Sequence, residues 1–505
     1  MHTPINIGAH ARNKGSMDLC SIMYGDSIRS SCQSLVGFIY RVYVRCIMEC
    51  ERELTDDAKT MLGDPRKALV AMALPMIVAT IVQSANNIID AVWVSGLGTA
   101  ALAATGVAFP FFFIVMGIGN GIGVGASQAL ARRLGAGDYE GTNRVASQTM
   151  MMSLVAGVVL AVVLFVFAEP AMDMSGAGDY LAECLEYSVP IFVCIPFIMV
   201  SAMFSALLRA EGASKRSMML QLAAAVLNII LDPVFIYGLG WGLAGAAWAT
   251  CIAMSSCMVF GIYWYYVRKD TFVRIPLHGF RFDRHLDADI LKVGIPASME
   301  MIVMSVTALV MNRIILLVDP VDGIAIYSTG WRALDMLTIP AMAFGFSLVP
   351  ICAAAYGAGR MDKFREAFSY CLRLGTALMC ILAVFTLVAA PAIVSLFTYS
   401  DATSSLAPEM VTFLRIGAVF LPFITVSFAS SGMFQSLGMG IRSLISTLTM
   451  NLLRIPICAA LSGSCILSYL WWGMSVSEII GAAIIGGWAV ITLRHLMRGF
   501  PTLPA

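Results

Sequence analysis

Charge is scarce in this chain. Only 12% of its 505 residues are Asp, Glu, Lys or Arg, where a soluble domain carries about a quarter. With 59% of the residues hydrophobic and a mean hydropathy of +0.83, a water-soluble globular fold is excluded. The net charge of +1 says little about partners, because placement of charge in such a chain matters more than its sum. No nucleic-acid partner is expected. Histidine is scarcer still: the five stand at 2, 10, 278, 285 and 495, all outside the long apolar stretches. There is no HExxH and no GxSxG, so an integral-membrane enzyme is a remote reading. The 13 cysteines are odd in number and mostly stand singly in apolar segments, as Cys194, Cys257, Cys371 and Cys380 do. Without CxxC or Cys/His spacing they suggest neither zinc nor a disulfide scaffold, and read as small buried side chains.

Apolar segments of bilayer length are what the chain has in plenty. About twelve can be counted, at roughly 68–94, 100–130, 145–168, 188–210, 217–238, 243–267, 290–317, 324–355, 366–397, 409–435, 441–462 and 468–493. The connections after the even-numbered spans hold the basic residues, among them Arg132, Arg133, Arg144, Lys215, Arg216, Arg268, Lys269, Arg360, Lys363 and Arg442. Both ends are basic as well, through Arg66, Lys67, Arg494 and Arg498. The opposite connections contain no Lys or Arg, and 168–188 carries Glu169, Asp173, Asp179, Glu183 and Glu186. The positive-inside rule therefore places both termini in the cytoplasm of a multi-pass protein of the cell membrane.

The chain repeats itself. Pro196-Phe-Ile-Met-Val-Ser201 returns as Pro422-Phe-Ile-Thr-Val-Ser427, an offset of 226 (422 − 196). Gly212, Arg216 and Ser217 meet Gly438, Arg442 and Ser443 at the same offset, and Leu134-Gly-Ala-Gly137 returns as Tyr356-Gly-Ala-Gly359. Pro75 and Pro296 stand 221 apart (296 − 75). Six spans per copy keep both copies in one orientation, which predicts two lobes related by an axis along the membrane normal. The expected organisation is a disordered cytoplasmic extension over 1–60, an N-lobe over 61–268, a linker over 269–288, a C-lobe over 289–496 and a tail over 497–505. Residues 1–47 read as dispensable, with Met48 an alternative start.

Several segments carry a family resemblance: LGDPRKALVAMALPM, NNIIDAVWVSGLG, ARRLGAGD, LLRAEG, LNIILDPVFIYGLGWGLAGAAWAT, GIPASME and AAYGAGRMDK. In order and spacing they resemble the multidrug and toxic compound extrusion (MATE) transporters, from about residue 61 to 496. The resemblance implies an all-α, twelve-helix transporter of two pseudo-symmetric lobes, exporting organic cations against entry of Na⁺ or H⁺. It implies no cofactor beyond that coupling ion, and a monomer whose partners are small molecules and the bilayer. A lipid-linked-precursor flippase of the same superfamily is the rival, though it would want a cationic cavity and commonly two more spans.

The residues themselves point to one region. Asn228 and Asp232 stand four apart on span 5, hence on one helix face, and Pro233 withholds an N–H from the carbonyl of Ile229. An ionised Asp in hydrocarbon costs roughly 2.5 kcal/mol or more, so Asp232 implies water, a cation or a proton. On span 1, Gln83, Asn86 or Asn87, and Asp90 form a polar stripe at helical spacing. At about 1.5 Å per residue, Asp90, Asp232 and Thr250 all lie roughly 8–10 Å below the outer surface. Two neighbouring carboxylates without a base cannot both stay ionised cheaply, and a proton or Na⁺ relieves that cost. Gln83, Asn87, Asp90, Asn228, Asp232 and Thr250 are therefore the candidate coupling residues. The resemblance places Asp90, Asn228, Asp232 and Thr250 where the DinF-like and archaeal branch holds its cation or proton, with Na⁺ an acceptable occupant. It leads one to expect Asn where Ser205 stands.

Pro75 and Pro233 are the expected hinges. In the C-lobe, Glu300, Asp335 and Glu478 face Arg332, Arg415 and Arg454. These signs roughly balance and read chiefly as a structural ion network; a second coupling site there would use Glu300 and Asp335. Gly117, Gly119, Gly121, Gly123 and Gly125 recur along span 2 and read as a close packing face.

Overall fold

The structure, a computed structural model, describes residues 54–499 except 176, 277–279, 396–404 and 465. Among the described residues twelve helices are long and apolar enough to cross a bilayer. They are α1 (Pro65–Ser95), α2 (Thr99–Gly135), α3 (Tyr139–Val166), α4 (Leu181–Ala210), α5 (Ser214–Gly238), α6 (Gly242–Arg268), α7 (Arg284–Val318), α8 (Gly323–Gly357), α9 (Met361–Ser395), α10 (Ala407–Ser436), α11 (Gly440–Ser462) and α12 (Leu467–Gly499). The fold is all-helical and multi-pass. An even number of crossings returns the chain to the face it left, here called the basic face.

Helix ends follow from local chemistry. Asp64 accepts from the Arg66 N–H at 2.9 Å with Pro65 at the first helical position, and Asp138 and Asp283 cap α3 and α7 in the same way. The turns on the basic face need left-handed backbone, and the sequence repeat supplies glycine at equivalent places. Gly137 and Gly359 adopt φ of +74° and +69°, and Gly212 and Gly438 +91° and +74°. The repeat seen in letters is thus also a repeat of backbone conformation.

Packing follows the same repeat. In the first half α4 is central, against α2, α3 and α6, while α5 packs on α1 and α6. In the second half α10 is central, against α8, α9 and α12, while α11 packs on α7 and α12. The halves meet through α2 against α7 and α8, and through α1 against α8. That contact lies toward the basic face. Gly121 faces Gly294 and Ser298, Gly125 faces Ile290, Gly135 faces Ala354, and Gly357 faces Arg132, in each case so closely that a Cβ would collide. Arg133–Asp289 at 2.7 Å, Arg66–Glu366 at 2.8 Å, and Lys363 Nζ on the carbonyls of Leu62 and Gly63 span the same seam. Such exposed pairs are worth about 0–1 kcal/mol each, so helix packing carries most of the seal.

Three boundaries differ from expectation. A helix runs over Asp56–Leu62, capped by Thr55, inside the stretch read as disordered; its apolar residues Ala58 and Met61 are buried, which hydropathy alone did not show. Residues 1–53 lie outside the described residues. The linker ends sooner than 288, because the Asp283 cap starts α7 at Arg284, and α12 continues past 496 to Gly499. The linker is stitched to the first lobe: Phe272, Val273 and Ile275 are buried, and Asn143 accepts from the Arg274 N–H at 2.8 Å. Glu211, 1% exposed between α4 and α5, accepts from the Val273 N–H at 2.9 Å. Burial pushes its carboxyl up to about 8.

Candidate functional site

The first lobe holds a continuous polar chain inside an apolar bundle. Asn86 on α1 donates through Nδ2 to Oδ1 of Asn228 on α5 at 2.8 Å. Asn228 in turn donates through its own Nδ2 to Oδ1 of Asp232 at 2.8 Å. The carboxyl groups of Asp232 and Asp90 are close enough to share a hydrogen bond, although two carboxylates have no donor between them unless one is protonated. Asp232 is fully buried, and Asn228 and Asn86 are 4% and 7% exposed. The spacing of four residues from Asn86 to Asp90 and from Asn228 to Asp232 puts each pair on one helix face, and the contact of α1 with α5 brings the two faces together.

Three buried oxygens of this chain have no hydrogen-bond partner: Asn86 Oδ1, Asp90 Oδ1 and Asp232 Oδ2. Orphaned buried oxygens are costly, and in a carboxylate pair they mark where a proton or a hard cation would sit. The donor set, two carboxylates and two amide carbonyls, fits Na⁺ or H⁺.

Pro233, expected as a hinge, has a local consequence. The α-helical part of α5 stops at Pro233 and continues as one π-helical turn over Val234–Gly238, directly after the buried carboxylate. Tyr237 in that turn donates to the carbonyl of Trp93 at 2.7 Å, so α5 is tied to α1 above the acids as well as beside them. Pro75 lies inside an unbroken α1.

The other sequence candidates are placed differently. Asn87 bonds to Gln83 at 3.2 Å, away from Asn228; Asn86, its neighbour, occupies the chain instead. The hydroxyl of Thr250 makes no hydrogen bond to it. Tyr187, near the start of α4, had no periodic signal to single it out, yet lies close enough to Asp90 and Asp232 for both charges to act on its hydroxyl. Ser205 is buried elsewhere on α4.

The second lobe is built on other chemistry. Arg454 on α11 and Glu478 on α12 form a buried ion pair, and the guanidinium lies 5.6 Å from the ring centroid of Trp331. Arg332, Asp335 and Arg415 take no part, so the expected network reduces to this one pair among the described residues. The i,i+3 spacing of Arg332 and Asp335 did not produce a bridge between them. Glu300 lies within hydrogen-bond reach of Ser443 and Gln435, and its Oε1 is unpartnered.

Comparison with known proteins agrees with this architecture. The MatE family profile matches residues 75–234 and 296–460, one stretch in each lobe. The chain is 29% identical over 438 residues to the multidrug export protein MepA of Staphylococcus aureus (strain N315), covering 86% of this chain and 94% of that one. Among solved structures it is 31% identical to an outward-facing multidrug resistance MATE family transporter of the MOP superfamily, with a TM-score of 0.86 over 88% of this chain and 100% of the other. A MOP superfamily transporter from Pyrococcus furiosus, described as having a binding pocket of reverse polarity that suggests a different function, is also 31% identical, with a TM-score of 0.85 over 88% and 99%. With both halves matched and the whole fold superposable, this chain belongs to the MATE family of integral-membrane proteins.

Proposed function

We propose that the protein exports small organic cations across the cell membrane, in exchange for Na⁺ or H⁺, by alternating access. The observation that carries this is the Asn86–Asn228–Asp232–Asp90 chain, with its orphaned oxygens, inside the first lobe. An exchangeable proton or Na⁺ there changes the charge of a bundle whose fifth helix leaves α-geometry at the next residue, Pro233. Filling the site favours one arrangement of α1 and α5, emptying it another, and coupling needs only that ion and substrate prefer different arrangements.

The names of the relatives, multidrug export and multidrug resistance, support small-molecule efflux. The acid chain in the first lobe and the likeness to the archaeal transporter support the DinF-like and archaeal branch. Basic residues at Arg133, Lys363 and Arg66 along the sealed seam support a cytoplasmic basic face and an outward-open cleft. We take the chain as a monomeric transporter and not an enzyme.

The test is uptake and efflux of a fluorescent organic cation in proteoliposomes, under an imposed Na⁺ gradient and separately under an imposed pH gradient. Transport driven by one of them supports the reading. Dye movement indifferent to both contradicts ion coupling.

A further inference from the structure

The turn between α8 and α9, on the basic face, departs from its sister turn in the first lobe. At the repeat offset of 222, Arg360 stands where Asp138 stands, and Lys363 where Gly141 stands (360 − 138 and 363 − 141). In the first lobe Asp138 caps α3, accepting from the Gly141 N–H at 2.8 Å. The second lobe puts a cation at both places, just before the α9 start at Met361 and in its first turn. Cations at a helix N-terminus oppose the helix dipole, so the stability of α9 does not explain them.

Both cations line a cavity of about 150 Å³. Its walls include Met61 of the short helix before α1, Gly135 of α2, and Ile351 and Ala355 of α8. Among the lining side chains only Arg360 and Lys363 are polar, and both are cationic. Lys363 Nζ donates to the carbonyls of Leu62 and Gly63 at 2.6 and 2.7 Å, which leaves the third of its N–H groups. Arg360 meets Asp362 through Nη2 alone, at 3.3 Å, and keeps the rest of its fork. The carboxylates that act on Lys363 are already used: Asp64 on the Arg66 N–H, Asp362 on Arg360, and Glu366 on the Arg66 side chain. The cavity is therefore apolar in body and positive at one end.

This cavity belongs to one state of the molecule. Gly135 comes from the first lobe, and Ile351 and Ala355 come from the second. The short helix Asp56–Leu62 bridges the two. Asp57 and Met61 lie so close to Gly212, at the turn from α4 to α5, that a Cβ there would collide. Asp57 also stands 4.0 Å from Arg216 of α5, while Lys363 of α9 holds the other end of the helix. Parting the lobes on the basic face removes one wall from the cavity.

We propose that this cavity binds a small monocarboxylate whose apolar body is about the size of one ring, and that its occupation holds the basic face closed. An apolar cavity of about 150 Å³ is large enough to take up benzene. The carboxylate matches the planar fork of Arg360 and the remaining Lys363 donor, a charge-assisted pairing. It also supplies the negative charge that Asp138 gives the sister helix. Because both lobes line the cavity, the ligand prefers the state closed on the basic face and slows the cycle by holding it there. That slowing, though not the binding, rests on the alternating access proposed above.

The test measures binding of benzoate to the purified, detergent-solubilised full chain by calorimetry, beside benzamide, which lacks the charge, and acetate, which lacks the body. The wild type should bind benzoate at least about tenfold more tightly than either control. Arg360→Gln, at an exposed position, should remove the preference over benzamide, and Ala358→Phe, in the cavity wall, should abolish benzoate binding. If melting shows Ala358→Phe to be unfolded, Arg360→Gln decides alone. No benzoate binding, equal affinity for benzoate and benzamide, or a preference that survives Arg360→Gln would overturn the proposal. In proteoliposomes benzoate should slow dye efflux by the wild type severalfold and leave Arg360→Gln unaffected. Any effect of a weak acid on the gradient is common to both proteins and cancels. Binding without that difference overturns the closure. Dye efflux that ignores both ion gradients, yet is slowed by benzoate in the wild type alone, supports this site and rejects the ion coupling.

Discussion

The two lobes are copies of one helical plan filled with opposite chemistry. Carrying the offset of 221 from Pro75 and Pro296 along α1, Asn86 falls on Thr307 and Asp90 on Met311 of α7. Carrying 226 along α4 and α5, Tyr187 falls on Phe413, Asn228 on Arg454 and Asp232 on Cys458. Every one of these counterparts is buried. Where the first lobe has two carboxylates and two amides, the second has a thioether, a thiol, a guanidinium and a hydroxyl. The guanidinium is paired with Glu478 and laid against Trp331, so the second lobe carries a tethered cation at the position where the first has the amide beside its carboxylates. A tethered charge cannot be exchanged. The comparison teaches that one packing plan accommodates unpaired buried carboxylates in one lobe and a paired guanidinium at the matching place in the other.

The largest effect should come from breaking the fixed pair. Arg454→Met leaves Glu478 buried and unpaired and should cost about 3–5 kcal/mol, read as a lowered melting temperature of the purified protein. The double variant Arg454→Met with Glu478→Gln removes both charges and should recover most of that stability. A double variant no more stable than the single would break the claim that the pair is only structural.

Next in size is a pH effect at the lobe edge. Burial raises the Glu211 carboxyl from an ordinary 4.5 to about 8, so the folded state binds the proton more tightly than the unfolded chain. Its stabilising contribution is full below about 4.5 and is lost as pH rises through 8, by up to a few kcal/mol. Glu211→Gln should flatten melting temperature against pH over that window; an unchanged slope would show that the group does not titrate there.

Neighbouring amides give a sharper test of geometry. Asn86→Ala should reduce ion-driven transport about tenfold or more by breaking the chain to Asn228, whereas Asn87→Ala should leave ion dependence intact. Transport that depends on Asn87 instead would move the ion path away from Asn228. The smallest effect is expected from Glu300→Gln, a severalfold loss of rate with coupling preserved, measured as dye efflux from the same liposomes. Complete loss of coupling in that variant would make the second lobe a partner in exchange.

Much of this was readable from the sequence, and the remainder for definite reasons. Hydropathy and the positions of Lys and Arg were enough for twelve spans, and the repeated Gly-Ala-Gly turns were enough for two lobes, because both signals are local. Asp90, Asn228 and Asp232 stood out because carboxylates in apolar segments are costly. The choice between Asn86 and Asn87 was not readable, since adjacent residues differ by about 100° of helix rotation and only the position of α5 decides between them. Tyr187 offered no charge to notice. The absence of a bridge between Arg332 and Asp335 was not readable either, since i,i+3 spacing reports which side chains are neighbours and not which interactions form.

The central claim, that exchange belongs to the first lobe, is tested most directly by one side-by-side assay. Ion-driven efflux of a fluorescent cation is measured from proteoliposomes containing wild type, Asp232→Asn, or the Arg454→Met, Glu478→Gln double variant, at matched incorporation and melting temperature. Asp232→Asn is nearly isosteric and removes a charge that is costly to bury, so it should fold normally and lose gradient-driven efflux entirely, while the double variant should keep its response to the gradient. Full gradient response in Asp232→Asn together with its loss in the double variant would contradict the account and place the exchanged ion in the second lobe.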